Sequence, residues 1–145
     1  MYDIEINKFM KKYKFFAGVF ALDEIPESAE WPFACVANTQ PRSAPGEHWV
    51  AIFINSSGNG GYFDSYGLPP LQDEFYEFLQ NNTVSWTHSN IPIQSVISVS
   101  CGKFCVAYIA RRCMGWSHKR VIDLIRKSAI EKNDDVVESL LMNSR

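Results

Sequence analysis

The sequence predicts a single α+β domain, a small and mostly antiparallel β-sheet flanked by helices, and three observations carry that reading. Its 145 residues suffice for one buried core and are too few for two. An apolar strand pattern at residues 48–54 (HWVAIFI) is followed, across the glycine-rich SSGNGG, by a second one at 62–64, as in an antiparallel hairpin. A helix-compatible run then opens on Cys101-Gly102 and carries Phe104, Cys105, Tyr108, Ile109 and Ala110 before Arg111-Arg112. Hydrophobic content of 46% and aromatic content of 14% exclude a disordered chain.

The remaining elements follow from local pattern. Residues 2–13 place Ile4 or Glu5, Phe9 and Tyr13 at helical spacing, predicting a short amphipathic helix. FFAGVFA at 15–21 is extended until Asp23-Glu24-Ile25-Pro26 breaks it, and 33–38 reads as a buried strand. The loop TQPRSAPGE then delivers the chain to His48. In SSGNGG, Asn59-Gly60 is the expected turn pair. Leu71, Phe75, Phe78 and Leu79 form one stripe of a helix over 71–80, and 84–86 and 97–99 are short strand candidates. Basic residues suit the C-terminal end of the helix over 101–113, and Gly115 stops it. Ser117 caps a further helix over 117–129, with Val121, Leu124, Ile125 and Ser128 inward, and a last helix is expected over 134–142.

Fourteen basic against sixteen acidic residues leave a formal charge of -2, which gives no global pull toward nucleic acid. The four cysteines, Cys35, Cys101, Cys105 and Cys113, include no compact C-x₂-C pair, so neither a zinc site nor a disulfide framework is expected. No apolar run is long enough to span a membrane, and MYDIEINKFMKKYK lacks a signal core, so the expectation is a soluble, unexported protein.

Chemistry concentrates in four residues standing in the order His48, Asp64, Gln94, Cys101. Cys101 is the candidate nucleophile. A thiol has a reference pKa of about 8.5, and the unpaired N–H groups of a helix's first turn favour its thiolate. Gly102 leaves room for a substrate carbonyl beside it. His48, at the start of a strand, is the candidate base, able to take the thiol proton and return it to a leaving amine. Asp64, across the hairpin, would accept the other ring N–H and fix the tautomer. Glu47 points the other way in a strand, and His88 and His118 sit in a polar loop and at a surface helix start, so all three are weaker candidates. The Gln94 amide, with the Cys101 backbone N–H, would hold a developing oxyanion. Trp49 alternates away from His48 and is expected in the core, or, through a strand-end bulge, against the substrate groove. Ordinary buried or solvated roles compete for each residue taken alone; the four together point to thiol-mediated acyl transfer. Papain-like chains carry the cysteine before the histidine, which sets this order apart from theirs.

These residues resemble the adenovirus-type cysteine protease (adenain) family, within the larger group that includes the SUMO and ubiquitin-like-specific proteases. The resemblance covers roughly residues 14–115: FAGVFALDEIP from Phe16, VANT from Val36, GEHWVA from Gly46, YFDSYG from Tyr62, then Gln94 and CGKFC from Cys101. It implies an adenain/Ulp-like fold with the nucleophile at the N-terminus of a central helix. It also implies His48 as base, Asp64 as its acidic partner, Cys101 as nucleophile and Gln94 as oxyanion-hole donor. Adenain carries glutamate at the acidic position; aspartate is common in the wider group. Adenain is also longer after its cysteine, and is activated by a disulfide-linked peptide and by viral DNA. Here no cysteine lies between Cys35 and Cys101 and the net charge is negative, so neither DNA nor an activating peptide is expected to be required.

The family implies cleavage of viral capsid and core precursors, often at glycine-rich sites, in the virion and the infected host cell. The short form looks like proteases of adenovirus-like DNA viruses or virus-derived transposons. The expectation is therefore a monomeric endopeptidase, with no cofactor or metal and no membrane partner. Small-residue rims at 43–46 and 56–61 would frame a narrow groove for an extended chain. The alternatives are a deconjugating protease for a ubiquitin-like modifier, an acyltransferase, or a silent structural relative.

Overall fold

The structure is a computed structural model and describes residues 3–93 and 101–126. The elements run α1 (Asp3–Met10), β1 (Phe16–Phe20), a 3-10 turn (Leu22–Glu24), β2 (Phe33–Asn38), β3 (Trp49–Ile54), β4 (Asn59–Phe63), α2 (Asp73–Asn82), β5 (Ser85–His88), α3 (Cys101–Cys113) and α4 (His118–Arg126). The expected strand at 97–99, the helix at 134–142 and the end of the helix expected over 117–129 lie outside the described residues.

The α+β class is as expected, and the five strands lie in sequence order in one sheet. Its centre is antiparallel, β2 against β3 and β3 against β4, while both edges, β1 on β2 and β5 on β4, pair in parallel. The sheet is therefore mixed, where the sequence suggested mostly antiparallel. Each parallel edge follows a crossover, through the 3-10 turn on one side and through α2 on the other.

Period-two alternation sorts the strand side chains onto two faces. Ala34, Val36, Ala51, Phe53 and Phe63 face α1, α3 and α4; Phe33, Cys35, Ala37, Val50, Ile52, Ile54 and Tyr62 face α2 and the 3-10 turn. In α3 every side chain from Phe104 to Ala110 is fully buried, so this helix is covered on all sides. Each buried large side chain there contributes on the order of 1.5–3 kcal/mol of transfer free energy.

Two stripes differ from the sequence reading. In α1 the buried positions are Ile6 and Met10, with Phe9 and Tyr13 packed beside them, while Ile4 is 77% exposed. Two residues from Ile6, Ile4 falls on nearly the opposite side of the helix. Leu71 precedes α2 and is also exposed, leaving Phe75, Phe78 and Leu79 as the inward set.

The hairpin turn differs as well. It spans Asn55–Gly58, with the Gly58 N–H donating to the Asn55 carbonyl and Gly58 at φ 85°, while Asn59-Gly60 already belongs to β4. A side chain at Gly60 would meet Thr83 Cγ2 at 2.9 Å, and one at Gly61 would run into the Tyr108 hydroxyl. These glycines answer close packing, not a turn.

Candidate active site

His48 is placed by backbone pairing just outside the first residue of β3. Its carbonyl accepts the Thr39 N–H at 2.9 Å, and the next pair in the ladder is Asn38 with Trp49. The intervening loop is gathered by Asn38, whose buried Oδ1 accepts the Gln40 N–H at 2.9 Å and the Glu47 N–H at 3.3 Å. Farther out, Arg42 grips the Glu24 carboxylate with both Nη2 and Nε, at 2.7 and 3.2 Å. That guanidinium, helped by the Ala21 N–H, lowers the Glu24 carboxyl below its usual range. A loop rich in proline and glycine is thus held at both ends.

Asp64 directly follows β4, the antiparallel neighbour of β3, so the two side chains meet at one rim of the sheet. The distance from His48 Nε2 to Asp64 Oδ1 is 2.9 Å, with side chains only 13% and 5% exposed. The same oxygen accepts the Tyr66 N–H at 2.8 Å. The Gly67 N–H then closes a turn onto the Asp64 carbonyl at 2.9 Å, with Gly67 at φ 76°. Any side chain at Gly67 would press into the Ile91–Pro92 backbone at 2.7 Å. The Tyr66 ring stacks on the imidazole, centroids 4.5 Å apart and planes 20° from parallel. Contacts of that kind are worth about 0.5–1.5 kcal/mol beyond area burial.

Cys101 is the first residue of α3, whose first turn carries no acidic residue, and Gly102 beside it is buried. Gln94 lies outside the described residues. The residue before it, Ile93, is fixed by donating its N–H to the Ser65 carbonyl at 2.9 Å. Trp49 is half-buried against the core on the α3 side. The rim expected at 56–61 is not near His48: it follows β3, about 20 Å along the strand from the rim holding His48.

The weaker candidates sort cleanly. Glu47 is exposed and accepts from Gln40 Nε2 at 3.2 Å, away from the imidazole. His88 ends β5 and its Nδ1 lies 3.2 Å from the Ser89 carbonyl. His118 opens α4 half-buried, not on the surface, with Nδ1 2.7 Å from the Tyr108 hydroxyl. Burial, then the nearby Arg112 and His88 charges, push its pKa down to about 4. Cys35 is fully buried, its thiol pushed upward by desolvation, and Cys113 is pushed up to about 11 by the same cause. Among the described residues no His/Cys/Asp/Glu group has the arrangement of a metal site, and no helix is long and apolar enough to cross a membrane. Sequence reasoning missed Asn38 and Tyr66 as organisers, although both stand inside the VANT and YFDSYG motifs.

No family model matches the chain, and no curated protein matches it in sequence. Among solved structures, the ASFV pS273R protease aligns with a TM-score of 0.64 at 21% identity, over 96% of this chain and 63% of that one. The central domain of the uncharacterized Lpg1148 protein from Legionella pneumophila aligns with a TM-score of 0.57 at 16% identity, over 99% and 94%. The chain thus spans less than two thirds of the ASFV protease. Likeness at this identity speaks for architecture: the chain shares the α+β fold of the ASFV pS273R protease.

Proposed function

We propose that the chain is a cysteine endopeptidase in which His48 serves Cys101 as base, Asp64 orients His48, and Gln94 stabilises the oxyanion. The observation that carries this reading is the 2.9 Å contact between His48 Nε2 and Asp64 Oδ1, shielded from solvent at a sheet rim. A carboxylate on Nε2 selects the tautomer in which Nδ1 takes the thiol proton, and it stabilises the imidazolium that results. The Cys101 thiolate, favoured by the first turn of α3, attacks the scissile carbonyl carbon. The Gln94 amide and the Cys101 N–H receive the oxyanion. The C–N bond then breaks as the imidazolium gives its proton to the leaving amine. Water attacks the thioester with His48 again as base, releasing the acid and restoring the thiol.

The substrates we assign are viral capsid and core precursors cut at glycine-rich sites, in the virion or infected cell, by a monomer that requires neither DNA nor an activating peptide. Support for this finer assignment comes from the motifs around His48, Asp64 and Cys101.

A fluorogenic peptide with Gly-Gly before the leaving group tests the chemistry. Wild type should release the fluorophore, Cys101→Ala should not, and iodoacetamide should label Cys101 first by intact mass and peptide mapping. Full cleavage by Cys101→Ala would end the proposal. Faster cleavage of a folded ubiquitin-like fusion than of precursor peptides would move the substrate to a modifier. A hundredfold gain in kcat/KM on adding DNA or core-protein peptides would overturn cofactor independence.

A further inference from the structure

The Asp64–Gly67 turn does more than follow a strand. An imidazole plane is poorly fixed by its own torsion, because χ2 of histidine is broad. The Asp64 bond holds Nε2 within the ring plane but does not by itself resist a tilt about that bond. A contact perpendicular to the plane opposes that tilt, and the Tyr66 ring, stacked at 4.5 Å and 20°, supplies one. The same residue's N–H reaches Asp64 Oδ1 at 2.8 Å, fixing the oxygen that meets His48. The turn is itself anchored from behind. Gly67 packs on the Ile91–Pro92 backbone, and the Ser65 carbonyl accepts from Ile93.

We propose that Tyr66 is a positioning residue for the His48–Asp64 pair: its ring sets the imidazole plane and its N–H sets the carboxylate. This rests on the reading of His48 as the base. It predicts that the planar ring matters and the hydroxyl does not. Tyr66→Phe keeps the stack, Tyr66→Leu keeps apolar volume without a flat π-face, and Tyr66→Ala removes both.

The test combines kinetics on the Gly-Gly fluorogenic peptide with proton NMR of the low-field imidazole N–H shared by His48 and Asp64. Thermal unfolding confirms that each variant is folded. Tyr66→Phe should stay within about twofold of wild type and keep the low-field resonance. Tyr66→Leu and Tyr66→Ala should lose about tenfold in kcat with KM within about twofold, as expected when orientation rather than binding is impaired. Their low-field resonance should broaden or vanish. Unchanged kcat and an intact resonance in Tyr66→Leu, in a protein that Cys101→Ala inactivates, would overturn the role of Tyr66 alone. Full activity in both Cys101→Ala and His48→Ala would instead overturn the reading of the site, while the resonance would still report whether Tyr66 orders the pair.

Discussion

Two imidazoles in this molecule are both largely withdrawn from water, and they are built for opposite behaviour. His48, at the sheet rim, faces a carboxylate at 2.9 Å and an aromatic ring at 4.5 Å. His118, under the sheet, faces the Tyr108 hydroxyl at 2.7 Å, and its Nε2 has no hydrogen-bond partner among the described residues. The charge that weighs most on it is that of Arg112, itself buried with its guanidinium 4.6 Å above the Phe53 ring and its Nε unpartnered among the described residues. Burial alone does not make a base. His48 lies against a carboxylate, while a proton added at His118 meets a positive charge in a setting where burial magnifies the penalty.

The largest effect expected from this contrast is on catalysis. Asp64→Ala removes the acceptor of both His48 and Tyr66 and should lower kcat by about 10²–10⁴-fold. Asp64→Asn is gentler, because its amide oxygen can sit where Oδ1 now accepts both N–H groups. It keeps the tautomer and loses only the charge, with an expected fall of about 10–10². His118→Gln should leave kcat within about twofold. If His118→Gln silenced the protein while Asp64→Ala did not, the two imidazoles would have exchanged roles.

A smaller effect is the dependence of stability on pH that His118 imposes. The pKa of His118 is lowered from 6.5 to about 4, so the unfolded chain binds a proton more readily than the folded one between those values. Stability therefore rises with pH across that window, and it is lost as pH falls from about 6.5 toward about 4. The full contribution is at most about 3 kcal/mol, and less once partial exposure is allowed for. Urea midpoints at pH 4, 5, 6 and 7 should fall more steeply toward acid in wild type than in His118→Gln. Parallel curves would show that His118 titrates normally.

The two imidazoles also mark what the sequence disclosed. His48, Asp64 and the helix opening at Cys101 were legible because each stands where an apolar run starts or stops, and run ends are local features. Pairing direction at the sheet edges was not, since parallel and antiparallel strands share one alternation pattern and differ only in how distant segments cross over. Gly60 and Gly61 look like turn residues in the sequence because glycine's two uses, a positive φ and a close approach, are alike there. Only the presence of Thr83, Trp86 and Tyr108 against them distinguishes the second use. His118 read as a surface residue for a related reason: Ser117 does cap its helix, its Oγ accepting the Arg120 N–H at 3.1 Å, and nothing nearby announces Tyr108 ten residues upstream.

The smallest effect tests what holds His118 neutral. Burial is the first cause of its lowered pKa, and the Arg112 charge comes second. Arg112→Met removes the charge but keeps apolar volume between Phe53 and Tyr108, so the imidazole stays buried. Two losses and one gain then nearly offset. The cation–π contacts with Phe53 and Tyr108, worth about 0.5–2 kcal/mol, disappear. A buried guanidinium no longer needs desolvating, which makes such replacements neutral or stabilising in other proteins. Stability at pH 7 should therefore change by no more than about 1 kcal/mol. The informative readout is the His118 ring titration followed by NMR, in which the variant's midpoint should move upward yet stay well below the ordinary histidine value. A midpoint restored to the ordinary value would make Arg112, not burial, the dominant cause, and the contrast between the two imidazoles would become one of neighbouring charge alone.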